Sequence, residues 1–122
     1  MPGVEALIAA DAGARVLARR LDVRDEARAA EVAGDVAATF GRCDILVNNA
    51  AGWLTGTLGD ADRDSIHEAI DVTVKGPIFM ARAFWGLLSA ADPAYIVNIT
   101  TLGARPGRSN ASPVYVAAKF GL

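Results

Sequence analysis

The sequence predicts a parallel α/β fold, and three observations predict it. Two short apolar runs, Ile45-Leu46-Val47 and Tyr95 to Ile99, are bounded by polar residues, as strands of a buried parallel sheet are. Around and between them lie segments whose apolar residues recur at helical spacing. The two kinds of element alternate along the chain, which argues for parallel strands joined by helical crossovers.

Val4, Leu7 and Ile8 fall at helical spacing before Asp11-Ala12-Gly13 and predict a short helix near the start. Arg15 to Leu21 alternates enough to predict a strand ending at Asp22-Val23. From Asp25, a natural N-cap, apolar side chains recur at Ala29, Ala33, Val36, Ala37 and Phe40, with Glu26, Arg28, Glu31 and Asp35 opposite; Gly41 is the expected stop. Ile45 to Val47 is then a strand buried on both faces, and Asn49 to Asp60 a loop. A long helix is predicted from about Asp62 to Ala90. One of its stripes runs through Ile66, Ile70, Val74, Ile78, Ala81, Phe84 and Leu88, and a second through Val72, Phe79, Ala83 and Leu87, so two burial partners are implied. Tyr95 to Ile99 is a second buried strand and Thr100 to Ser112 a loop; Ser112-Pro113 opens the last helix, serine at N-cap and proline at N1.

The 122 residues, 52% hydrophobic and 21% charged, suit one globular unit and argue against disorder. A net charge of −2 offers no basic field for nucleic acid or an anionic membrane. No uncharged run approaches the ~20 apolar residues of a membrane span, and no basic segment precedes an apolar core at the start, so a cytoplasmic location is expected. One cysteine, Cys43, and one histidine, His67, make neither an internal disulfide nor a zinc site, and no metal is expected.

Tyr115 and Lys119 stand four apart on the last helix and therefore share a face. Tyrosine alone is a poor base near neutrality, and an ammonium held about 5 Å away favours the phenolate electrostatically. Tyr115 also lies in the first turn, where the helix dipole favours negative charge. A lone pair at this spacing is usually an ordinary helix pair, so the context decides.

That context is Asp22-Val23, then Asp44-Ile45-Leu46-Val47-Asn48-Asn49-Ala50-Ala51-Gly52, then Ile96-Val97-Asn98-Ile99-Thr100-Thr101, then Tyr115-Val116-Ala117-Ala118-Lys119-Phe120-Gly121. In this order and spacing the chain closely resembles the short-chain dehydrogenase/reductase family, over essentially its whole length. The resemblance implies a partial Rossmann-type, doubly wound parallel sheet over residues 1–122, comprising the third, fourth and fifth strands with their helices. It also implies NAD or NADP as cofactor, and hydride transfer between a small-molecule carbonyl and an alcohol. On the matching positions, Tyr115 is the expected proton donor and acceptor, and Lys119 its electrostatic partner and holder of the nicotinamide ribose. Asp22 and Val23 are expected beside the adenine, and Asn48 and Ala50 at the strand end beside the cofactor.

Two positions depart from the family pattern. The substrate-orienting serine usually stands thirteen residues before the tyrosine, at Leu102 here, whereas the hydroxyl is on Thr101, fourteen before. The asparagine of the long helix is Thr73, within Asp71-Val72-Thr73-Val74-Lys75-Gly76. Pro77 lacks the N–H that would bond the Thr73 carbonyl, so this carbonyl is expected to be free to hold the relay water that the family places there.

The family's glycine-rich turn is absent: Gly52, Gly56 and Gly59 do not have the G-x-G-x-x-G spacing. The chain is expected to begin in the helix before the third strand and to stop one turn past Lys119. Two absent strands would leave the third and fourth about 14 Å apart with open edges. Little stability and little cofactor affinity are expected of such a piece. Two other readings stay open. One is a non-catalytic remnant or dimerising module using the long helix, the face through which the family forms homo-oligomers. The other is a relative of nucleotide-sugar epimerases and dehydratases, which share Y-x-x-x-K.

Overall fold

The computed structural model describes residues 15–54, 56–101 and 112–122. The expected helix at Val4 to Ile8, Leu102 and the loop 103–111 lie outside them. The first described helix, α1 (Glu26–Phe40), is bounded as its sequence requires. The Asp25 carboxylate accepts from Arg28 N at 2.9 Å, and Gly41, at φ 76°, donates its N–H to Ala37 O at 2.9 Å. Ala29, Val32 and Ala33 form its buried face.

Strands β1 (Ile45–Asn48) and β2 (Tyr95–Asn98) pair in parallel, with Ile45 opposite Tyr95 and Asn48 opposite Asn98. The connection between them is a single-turn 3₁₀ helix (Leu58–Asp60), α2 (Arg63–Ile70), a π turn (Asp71–Lys75) and α3 (Gly76–Ser89); α4 (Pro113–Gly121) follows β2. Leu46 of β1 packs with the α1 face and with Met80, Phe84 and Leu88 of α3, and these residues are the core. This is a piece of a doubly wound α/β sheet, with one βαβ unit described in full.

Three expectations are corrected. Arg15 to Leu21 is not a strand. A strand exists through its ladder, and neither β1 nor β2 pairs with this segment, which contributes Leu21 to the core, as the turn after it contributes Val23. The two strands are also not buried on both faces. Ile45 and Val47 are 58% and 53% exposed, and all of β2 is exposed, because among the described residues the helices that pack on Leu46, α1 and α3, cover one face of a sheet whose apolar character calls for cover on two.

The long helix, third, is interrupted. At the π turn Gly76 N–H reaches back five residues to Asp71 O, immediately before Pro77, which has no N–H to hold the Thr73 carbonyl in α register. One extra residue shifts the following helix by about 100° in phase. The buried line runs Ala69, Thr73, Gly76, Met80, Phe84, Leu88, and Ile78 of the expected stripe, two residues from both Gly76 and Met80, faces the other way and is exposed.

Candidate active site

Helix α4 carries Tyr115 and Lys119 on its inner face, against α2 and the π turn. Tyr115 is 8% exposed and Lys119 4% exposed. The Lys119 ammonium donates to Ile99 O, just past β2, at 2.6 Å and lies 6.0 Å from the centre of the Tyr115 ring. No carboxylate pairs with it among the described residues, and burial pushes its pKa below that of a free lysine. Pro113 occupies N1 as expected, but the serine cap is not made. Ser112 sits at N-cap with φ −51° and ψ 136°, its hydroxyl buried without a partner, whereas Asp25 (φ −91°) and Asp62 (φ −73°) lie further into the extended region and do cap their helices.

The strand ends converge on this helix. Asn48 is buried and its amide N–H donates to Asn98 Oδ1 at 2.9 Å, tying together the last residues of β1 and β2. Ile99 N in turn donates to Asn48 O at 2.9 Å. Thr101 follows, half-buried. Ala50 is exposed at the start of the loop after β1, and Gly52, two residues on, is buried.

Thr73 is fully buried in the π turn, and its Oγ1 accepts from Gly52 N at 3.0 Å. The hydroxyl is thus committed to the loop rather than directed at the Tyr115 phenol. Gly52 has no room for a side chain, since a Cβ there would lie 2.6 Å from Ala69 Cα. The next residue, Trp53, lays its indole 4.9 Å from the Tyr115 ring at an interplanar angle of 59°.

Asp22 and Val23 lie away from this pair, on a cleft of about 500 Å³ that Ala50, Ala51, Gly52 and Trp53 also line. Both carboxylate oxygens of Asp22 are taken by Arg24: Nε donates at 2.9 and 3.1 Å, Nη2 at 2.6 Å and the backbone N at 3.0 Å. These bonds hold the carboxyl down to about 2. Val23 packs on Gly76, where a Cβ would meet its Cγ2 at 2.6 Å. Sequence reasoning did not assign the Ile99 carbonyl or Arg24; the i+2 spacing of Asp22 and Arg24 carried a readable signal, an aspartate turn with an opposite charge at its third position.

A protein-family model described as enoyl-(acyl carrier protein) reductase, of the short-chain dehydrogenase type, matches residues 3–122. The chain belongs to the short-chain dehydrogenase/reductase family. A short chain dehydrogenase of Aspergillus terreus is 42% identical over 90 residues, which are 70% of this chain and 20% of the relative. A short-chain dehydrogenase from Streptomyces avermitilis superposes with TM-score 0.83 at 32% identity, over 97% of this chain and 43% of the other. A metagenomic short-chain oxidoreductase solved with NADP gives 0.79 at 33% identity, over 97% and 52%. The chain thus spans about half the length of these solved short-chain dehydrogenases and less of the fungal relative. Within the family frame, the structure brings Tyr115, Lys119, Asn48 and the approach to Thr101 together, and sets Asp22 and Val23 along the neighbouring cleft.

Proposed function

We propose that this chain carries the proton-transfer side of an NAD(P)-dependent oxidoreductase that interconverts a small carbonyl compound and its alcohol. One observation carries the reading. Tyr115 and Lys119 are both buried on one helix face, and Lys119 is a desolvated cation whose described partner is a single carbonyl. An ammonium has three donors, so Lys119 keeps two for ribose hydroxyls, and its charge favours a phenolate on Tyr115.

The residues fit a dinucleotide at this end of the site. Lys119 would hold the nicotinamide ribose, and Asn48 and Ala50 would border the cofactor at the strand end. A bound NAD(P) supplies or accepts the hydride. Tyr115 gives the proton to the carbonyl oxygen in reduction and takes it from the hydroxyl in oxidation. Thr101 orients the substrate oxygen by hydrogen bonding. Thr73 acts in the relay position through its carbonyl, which Pro77 cannot bond, while its hydroxyl holds Gly52. At the adenine end the fit is looser: Val23 stands at the cleft, but the Asp22 carboxylate is already engaged by Arg24.

Small-molecule substrate, cytoplasmic location and self-association through the long helix belong to the same proposal. Ile78 and Trp85 on α3, 59% and 64% exposed, favour the association and equally favour the reading of a non-catalytic dimerising module. The deciding experiment follows oxidation of NADH and NADPH with a panel of ketones, for the chain and for Tyr115→Phe. Loss of at least 10²-fold in rate with dinucleotide binding unchanged is expected. An equal rate in the variant would sink the assignment of Tyr115, self-association without dinucleotide binding would favour the dimerising module, and hydride transfer without net dinucleotide turnover would favour an epimerase.

A further inference from the structure

Trp53 is the most exposed of the large apolar side chains among the described residues, at 71%, yet it is held against one of the most buried, Tyr115. Its stem is anchored. Gly52 N is bonded to the buried Thr73 hydroxyl, and Gly52 sits flush on the Ala69 backbone. One side of the indole meets the Tyr115 ring at 4.9 Å and 59°, within the tilted geometry aromatic pairs favour, and the rest of the indole is open. Trp53 also lines the cleft of about 500 Å³, together with Gly52, Asp22, Arg24 and Glu68. The indole therefore stands between that cleft and the Tyr115 ring.

We propose that Trp53 is a specificity-determining residue: its open indole face receives a planar apolar ring on the carbonyl or alcohol substrate and sets that ring beside Tyr115. The inference rests on the acid/base reading of Tyr115, but ring binding can be read without turnover. A rigid aromatic surface loses little conformational freedom when it is covered, and stacking rewards a flat ring over a chain of equal size. Substrates that carry an aromatic ring next to the carbonyl are therefore favoured over acyclic ones.

The chain has two tryptophans, so Trp85→Phe leaves Trp53 as the single indole emitter. In that background, without dinucleotide, acetophenone is expected to change Trp53 emission saturably, and 2-octanone at least tenfold more weakly. By saturation-transfer NMR, Trp53→Ala is expected to lose acetophenone at least tenfold while 2-octanone changes less than twofold; Trp53→Phe retains most of the binding. Equal affinity for the two ketones would overturn the proposal, as would equal loss of both in Trp53→Ala. Binding of 1-methylnicotinamide in preference to acetophenone would also overturn it, by assigning the indole to the cofactor ring. If Trp53→Ala does not fold, the emission titration and Trp53→Phe still decide. Ring binding by a chain that fails to oxidise NADH or NADPH would leave this inference standing and remove the redox reading; turnover with no response at Trp53 would do the reverse.

Discussion

Thr73 and Gly52 are joined by a hydrogen bond buried between the π turn and the loop after β1: Gly52 N donates to Thr73 Oγ1 at 3.0 Å. The bond fixes where the loop leaves the strand, and so where Trp53 meets Tyr115. Thr73→Val keeps the shape and removes the acceptor, which strands a buried N–H; a cost of about 1–3 kcal/mol is expected. Thr73→Ser keeps the hydroxyl and loses one methyl, for about 1 kcal/mol. Urea denaturation of the two variants checks the order, and equal costs would mean that the methyl rather than the bond matters.

Gly52 and Gly76 are both closely approached, but by different groups. A Cβ on Gly52 would stand 2.6 Å from Ala69 Cα and 3.0 Å from Glu68 O, backbone that moves only with α2. A Cβ on Gly76 would stand 2.6 Å from Val23 Cγ2, a side chain at the edge of the core. Gly52→Ala is therefore expected to lose about 3 kcal/mol. Gly76→Ala is expected to lose less, because alanine regains about 1 kcal/mol of helix propensity against the strain on Val23. Denaturant midpoints measured side by side test the order, which a larger loss at Gly76 would reverse.

Much of this frame was legible because its signals are local. Asp25 and Gly41 bound α1 through their own side chain and backbone, and Pro113 marks the start of α4. Tyr115 and Lys119 share a face by spacing alone. What escaped the sequence depends on partners. Among the described residues, Arg15 to Leu21 has strand-like alternation but no strand to pair with, and β2 has an apolar sequence that is exposed along its length. Pro77 signalled a break in hydrogen bonding, but not that the break would take the form of a π turn, nor that Ile78 would lie opposite the buried Gly76 and Met80. The second use of Thr73, as acceptor for Gly52, needed the loop in three dimensions.

Acid stability should carry the mark of Asp22. Its carboxyl is held down to about 2 by the Arg24 side chain and then by the Arg24 backbone N–H, against 3.8 for an unperturbed group. A depressed carboxyl contributes stability above the unfolded value and loses it as pH falls through the folded one. The contribution of this pair is therefore complete above about pH 4 and fades toward pH 2. In Arg24→Ala the Asp22 ¹³C-carboxyl titration is expected to move up toward 3.8, and the acid limb of stability should flatten in that window. Since the pair is exposed, the change is expected to be small and to shrink further in high salt. A titration midpoint that ignores Arg24 would show that the pair does not form in solution.

Lys119 makes the opposite contribution. It is 4% exposed, bonded to Ile99 O, and its pKa is lowered from 10.5 by burial. A cation whose folded pKa is depressed is penalised while it is charged. The penalty is therefore present in full below the folded value and is relieved as pH rises from that value toward 10.5. Lys119→Met removes the charge and keeps the length of the stem, and Ile99 is exposed enough for water to replace the lost donor. The variant is expected to gain about 1 kcal/mol of stability at neutral pH, and to lose the alkaline rise in stability. Lys119→Arg keeps a charge that cannot be shed and should be the less stable of the two. Denaturant midpoints for the three chains, at neutral pH and near pH ~10, test this. A destabilised Lys119→Met would mean that the hydrogen bond to Ile99 outweighs the cost of burying the ammonium, and that the site is not strained toward a ligand in the way its burial argues.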